Sequence, residues 1–174
     1  VNCSHTESDF DEINSIAAEN PDLLVLALAF EHCNLTEIPS FPNLTVKQLL
    51  LAHNNISRIP ELPKTLKHLD LRNNSIGRLS DSEVSNLLSG RTVSLSGNQI
   101  PCDCDSGQLV LAIIQHPEKI SDLPSVRCAG GDLPPTVPAW CGARGALAGG
   151  LVAAIVALLG IAGAMYYRYR YIHT

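Results

Sequence analysis

The sequence predicts a short solenoid of strand-and-turn coils, closed by a cysteine-rich cap and followed by one membrane-spanning helix. Three observations predict it. An apolar pattern recurs four times across residues 25–101, four cysteines follow it directly, and 23 uncharged residues run from Gly145 to Tyr167.

The chain has 174 residues, 17 acidic against 12 basic, and a formal charge of −5. That length allows one domain of about 140 residues plus a span. Residues 1–37 hold eight acids and no Lys or Arg, whereas 44–100 hold seven Lys/Arg and four acids. No basic run suggests nucleic acid. The acidic start reads as a solvated face or as a surface that steers a basic partner. All six cysteines precede the apolar run, and an even number fits three disulfides in an oxidising compartment. The chain starts at Val1 without an initiating Met or an apolar leader, the expected state after signal removal. Asn-x-Ser/Thr sequons stand at Asn2, Asn34, Asn43, Asn55 and Asn73, all before the span, as in a secretory-pathway ectodomain.

Residues 1–24 are expected to cap the N-terminal end. Phe10, Ile13, Ile16 and Ala17 recur at helical spacing with acids between them, predicting a short helix over 6–17 with Thr6 or Ser8 as its cap.

The repeats begin at Val25, Val46, Leu66 and Gly90, and each fits L-x-x-L-x-L-x-x-N-x-L. The ladder position holds Cys33, Asn54, Asn74 and Asn98, spaced 21, 20 and 24 residues apart. The apolar positions are Leu28, Phe30, Leu35 and Ile38; Leu49, Leu51, Ile56 and Ile59; Leu69, Leu71, Ile76 and Leu79; and Val93, Leu95 and Ile100. The L-x-L step has the two-residue period of a strand with one buried face. The ladder Asn can bond backbone groups that the following turn leaves unpaired. Stacked coils then share a core that no single coil could bury. Alternating strands of some other β domain are the competing reading. The pattern resembles the leucine-rich repeat, in which Cys also substitutes for the ladder Asn. The resemblance implies an α/β-type leucine-rich-repeat solenoid with a short parallel sheet on its concave face.

Residues 102–141 form the expected C-terminal cap. Cys102-x-Cys104 is followed by an apolar helical run through Leu109, Ile113 and Ile114, then by Cys128 and Cys141. Sequence alone allows three connectivities for four cysteines, and zinc is a competing use, though C-x-C is tighter than the usual zinc spacing. The arrangement resembles the disulfide cap of extracellular leucine-rich-repeat proteins such as Toll-like receptors and platelet glycoprotein Ib-type subunits. That resemblance implies Cys102–Cys128 and Cys104–Cys141. Cys3 would pair with Cys33; the other case is a buried, unbridged Cys33 and a Cys3 available to another chain.

Residues 142–144 are left as a linker, 145–167 as the span and 168–174 as a tail. A helix needs roughly 20 apolar residues to cross the hydrocarbon core. Arg168 and Arg170 mark the cytoplasmic side, and Tyr166, Tyr167, Tyr169 and Tyr171 suit the headgroup layer. A buried soluble helix and a GPI signal compete, the latter against a polar YRYRYIHT end. Gly145, Gly149, Ala153, Ala157, Gly160 and Ala164 form a small-residue seam that suits close helix packing in lipid. With 12 of residues 145–164 being Gly or Ala, such a seam arises easily, but the composition itself favours packing on protein over passive anchoring.

No nucleophile elbow, Walker or H-E-x-x-H motif occurs, so no enzyme, cofactor or metal site is expected. His32 and His53 precede the ladder position in adjacent repeats, where they can stack; they read as exposed polar residues or as a pH-sensitive contact. Residues flanking the buried leucines should face the concave side in columns: Ala27, Gln48, His68, Thr92; Ala29, Leu50, Asp70, Ser94; and Glu31, Ala52, Arg72, Ser96. Leu50 is the candidate apolar anchor and His68, Asp70 and Arg72 the polar ones. Asn73 stands beside Arg72, where a glycan would crowd that face. The plan is that of a plasma-membrane accessory or adhesion subunit, with its N-terminus outside and its partner a membrane protein or an extracellular protein. Glycoprotein Ib-type subunits and leucine-rich auxiliary subunits of channels resemble it. A Toll-like ligand-binding receptor or decoy without a signalling domain, and a module binding in trans between cells, are the alternatives.

Overall fold

A computed structural model describes residues 6–41, 44–103 and 108–136. Residues 1–135 form one compact unit, to which every element below belongs, and 136–174 form a second. The predicted span and its seam (Gly145, Gly149, Ala153, Ala157, Gly160, Ala164), together with Cys3, Cys104, Cys141, Asn2 and Asn43, lie outside the described residues. Among those described, no helix is long and apolar enough to cross a membrane.

The chain opens with helix α1 (Thr6–Glu19). Strands β1 (Leu24–Ala29), β2 (Thr45–Leu50), β3 (His68–Asp70) and β4 (Thr92–Ser94) form one sheet in that order, parallel throughout. Helix α2 (Asp81–Leu88) precedes β4, helix α3 (Gln108–Gln115) follows it, and a small antiparallel pair, β5 (Arg127–Cys128) and β6 (Gly131–Asp132), ends the described fold.

Sheet register follows the repeat. Leu28, Leu49, Leu69 and Val93 are paired neighbours across the four strands, as are Ala29, Leu50, Asp70 and Ser94. Leu49, Leu51, Leu69, Leu71, Val93 and Leu95 point inward and are buried. Burying such a side chain contributes about 1.5–3 kcal/mol, and each does so against the coil next door.

The ladder residues satisfy backbone groups inside the turns. Asn54 Oδ1 accepts the N–H of Cys33 and of Leu35, both at 2.9 Å, while its Nδ2 donates to Phe30 O at 2.7 Å and Leu51 O at 2.9 Å. Asn74 accepts from Ile56 N at 2.9 Å and donates to Leu51 O at 2.9 Å. Asn98 accepts from Ile76 N and donates to Leu71 O, both at 2.8 Å. Each buried amide therefore joins its own coil to the one before it.

The residue before each ladder position turns left-handed: His32 (φ 57), His53 (φ 60), Asn73 (φ 52) and Gly97 (φ 76). These four stack as a column. The His32 and His53 rings lie 4.2 Å apart and within 10° of parallel. The Asn73 amide nitrogen is 3.4 Å from His53 Nε2. A Cβ on Gly97 would stand 2.1 Å from Asn73 Oδ1, so only glycine fits there.

Helix α1 closes the first coil. Phe10 meets Phe30 edge-on at 4.9 Å and Phe41 at 5.9 Å, and Ala17 is fully buried. The helix runs two residues beyond the expected 6–17 and already includes Thr6 and Ser8. Ser8 is therefore an interior residue and not the cap, because the apolar spacing that defines the packed face does not fix where the first turn starts.

Helix α2 accounts for the longer 24-residue interval before Asn98. Ser80 and Glu83 form a reciprocal capping box: Ser80 Oγ accepts from Glu83 N at 3.4 Å, and Glu83 Oε2 accepts from Ser80 N at 2.9 Å. Those bonds, first with the Ser80 N–H and then with its hydroxyl, hold the Glu83 carboxyl below its ordinary value. At the other end buried Arg91 donates to Asn86 O and, at 3.1 Å, to Pro63 O, while Lys119 Nζ donates to Leu88 O at 2.9 Å. Two cations thus satisfy carbonyls that the last helical turn leaves open.

In the C-terminal cap, Leu109, Val110 and Ile113 of α3 are buried. Cys102 and Cys128 are bonded, with Cα atoms 5.6 Å apart. Cys33 is disulfide-bonded as well, to a cysteine outside the described residues, which removes the case of an unbridged thiol at the ladder.

Candidate partner-binding surface

The concave face is built by strand alternation. In β3, Leu69 points into the core, so His68 and Asp70 point outward. Arg72 comes two residues later on that same face and folds back on Asp70. Its Nε lies 2.9 and 3.0 Å from the two carboxylate oxygens, its Nη2 lies 2.5 Å from Oδ2, and its main-chain N–H donates to Oδ1 at 3.0 Å. The Asp70 side chain keeps 4% of its exposure and Arg72 keeps 48%.

This corrects the expectation that Asp70 is an exposed anchor. Its carboxylate is spent inside the pair, and Arg72 is what the face presents. Burial alone would raise the Asp70 carboxyl. The Arg72 side-chain bonds, its main-chain N–H and its charge, helped by His68, outweigh burial and hold it below the usual aspartate value. The Arg72 guanidinium is raised, first by its bonds to Asp70, with Asp122 and Glu31 adding smaller attractions.

Around Arg72 the side chains are small. Ala52 and Ser94, also expected on the open face, are buried. Leu50 and His68 are half-buried, and His68 Nδ1 lies 3.1 Å from Thr92 Oγ1. Of the four anchors expected from sequence, the structure brings His68, Asp70 and Leu50 into adjoining sheet positions, and Arg72 folds back on Asp70. A guanidinium fixed in place above small neighbours loses little freedom on binding, the condition in which Arg serves as an interface anchor.

Beyond β4 the sheet is closed by residues 120–122. Ile120 bridges to Val93, and Ser121 N donates to Val93 O at 2.9 Å. The Asp122 carboxylate accepts from Leu95 N at 2.9 Å and Ser96 N at 2.8 Å. Sequence inspection missed Asp122, since no local pattern marks it. It also missed buried Arg91, although Lys47 and Lys67 at the matching place in other coils hinted at a cation there.

Asn34, Asn55 and Asn73 are exposed, and Asn55 Nδ2 donates to Asn34 Oδ1 at 3.3 Å. All three follow shortly after the C-terminal ends of strands β1, β2 and β3. Among the described residues, no group of three His, Cys, Asp or Glu could hold a metal ion.

The Leucine Rich Repeat family matches residues 65–87. The protein Toll of Drosophila melanogaster is 32% identical over 122 residues, which cover 63% of this chain and 11% of Toll. A solved structure of the Toll–Spatzle complex superposes with a TM-score of 0.52 at 32% identity, over 60% of this chain and 14% of that one. Human 5T4, trophoblast glycoprotein, shares the fold with a TM-score of 0.52 at 20% identity, over 60% of this chain and 40% of its own. The chain thus spans a small part of Toll and less than half of the 5T4 structure. The parallel ladder, the asparagine network and these matches together support a leucine-rich-repeat-like fold, with the family match itself covering residues 65–87.

Proposed function

We propose that this chain is a non-enzymatic, single-pass cell-surface protein whose repeat domain binds another protein as a subunit of a larger membrane complex. The observation that carries the reading is Arg72, half-exposed on the concave sheet and locked by buried Asp70. The uncharged 145–167 run, with its Gly/Ala seam, supports a second contact inside the bilayer. Glycans at the sequons would leave the centre of the sheet open and crowd its Asn73 margin. Cys3 with Cys33 and Cys104 with Cys141 would complete the caps.

The test is purification of the full-length chain from its own cells in mild detergent, with mass spectrometry of co-purifying proteins. A stoichiometric membrane protein, lost with Arg72→Ala or with leucines in the Gly/Ala seam, is expected. A lone monomer or homodimer would overturn the reading. Similarity to Toll, solved in complex with Spatzle, favours one other reading, capture of a soluble protein ligand by the repeats. It predicts ligand binding by residues 1–143 alone.

A further inference from the structure

The two edges of the parallel sheet are treated differently. At β4 the outward N–H groups of Leu95 and Ser96 are held by Asp122, and residues 120–122 lie along the strand. At β1 the described residues supply a neighbour only on the β2 side. Phe30 N donates to Leu50 O at 2.8 Å, so by alternation Leu28 also addresses β2. Ala27 and Ala29 therefore direct their N–H and C=O groups outward, away from the sheet.

Edge strands are normally blunted by a charge, a proline or a bulge. β1 reads LVLALA and has no charge or proline. Leu26 is 71% exposed and Leu24 50% exposed. The place of Leu26 is held in the other coils by Lys47, Lys67 and Arg91. Helix α1 packs on Phe30 and Phe41 through Phe10 and buries Ala17, yet Leu24 and Leu26 stay exposed. Exposed acids stand close to its start in the chain, Glu19 at the end of α1 and Asp22 in the turn before β1. The first Lys or Arg of the chain is Lys47. A second copy would bring like charges together at this edge, which selects a cationic occupant.

We propose that the outer edge of β1 is a strand-addition site for a basic protein segment. An extended segment pairs with the main chain of Ala27 and Ala29. Its apolar side chains lie beside Leu24 and Leu26, and its Lys or Arg side chains are drawn by the nearby acids Glu19 and Asp22. The site rests on the reading of the repeat domain as a protein-binding module but lies apart from Arg72. Its test needs no native partner, so either proposal can fail alone.

The experiment uses the full chain in mild detergent with two fluorescent peptides, (Val-Lys)4 and (Val-Glu)4. Anisotropy should show the Lys peptide binding at least about tenfold tighter. Hydrogen exchange at Ala27 and Ala29 should be fast in the chain alone and slow with the Lys peptide present. Ala27→Pro removes one outward donor and leaves β2 pairing intact, and it should weaken binding about tenfold. Should Ala27→Pro fail to fold, Leu26→Lys, which restores the cation of the other coils, carries the same expectation. Equal binding of both peptides, binding unaffected by either variant, or slow exchange in the chain alone would overturn the proposal.

Discussion

The side-chain amide of Asn54 reaches back one full coil to donate to the main-chain carbonyl of Phe30, at 2.7 Å. Its oxygen accepts two further N–H groups from the same coil, at Cys33 and Leu35. Removing such an amide leaves buried backbone groups with no substitute. Asn54→Ala and Asn74→Ala should each lower unfolding free energy by about 1–3 kcal/mol in urea titrations. Asn55→Ala, one residue away but exposed, should change it by less than about 0.5 kcal/mol. Equal losses for Asn54 and Asn55 would contradict the ladder.

Leu69 sits at the centre of the inward row and has no exposed surface. Leu69→Ala leaves a cavity with coils packed on both sides, so little collapse can fill it. Unfolding should cost about 2–5 kcal/mol less, and Leu69→Met should recover most of that.

Acid should loosen the Asp70–Arg72 pair. Asp70 has a lowered pKa in the fold, so near the ordinary aspartate value of about 3.9 the unfolded chain binds more protons. Its contribution is full above that value and fades as pH falls through the lower folded value. Stability measured from about pH 6 to pH 3 should therefore drop more steeply in the wild type than in Asp70→Asn. Parallel pH curves would show that the pair contributes nothing.

The Cys102–Cys128 bond closes a loop with a sequence separation of 26 and ties the end of the last coil to β5. Cys102→Ser with Cys128→Ser should lose about 2–5 kcal/mol, with proteolysis beginning near α3.

Gly97→Ala meets two obstacles, a left-handed backbone and the Asn73 side chain. A loss of more than about 1 kcal/mol is expected. Adding Asn73→Gly should return the steric part and leave the backbone part, which a double-mutant cycle separates.

Sheet register was legible because leucines at strand period leave one arrangement that buries every row. Phe10, Ile13 and Ala17 likewise announced α1. Asp70 was misplaced because strand alternation gives the direction of a side chain, whereas its burial depends on where Arg72 folds. Helix α2 hid in the long interval before Asn98, although Ser80 and Glu83 carry a capping signature at the right spacing. Asp122 had no such signal: its bonds to Leu95 and Ser96 span 27 and 26 residues, and nothing local distinguishes it from other loop acids.

Because residues 120–122 take the seat beside β4 that another strand would use, the array stops growing there. A duplicated coil spliced between β2 and β3 would find a matching ladder above and below it and would disturb neither terminus. The same coil added after β4 would displace Ser121 and Asp122 together. Length in this architecture is therefore free to vary from within, and the terminal piece travels unchanged with whichever coil comes last.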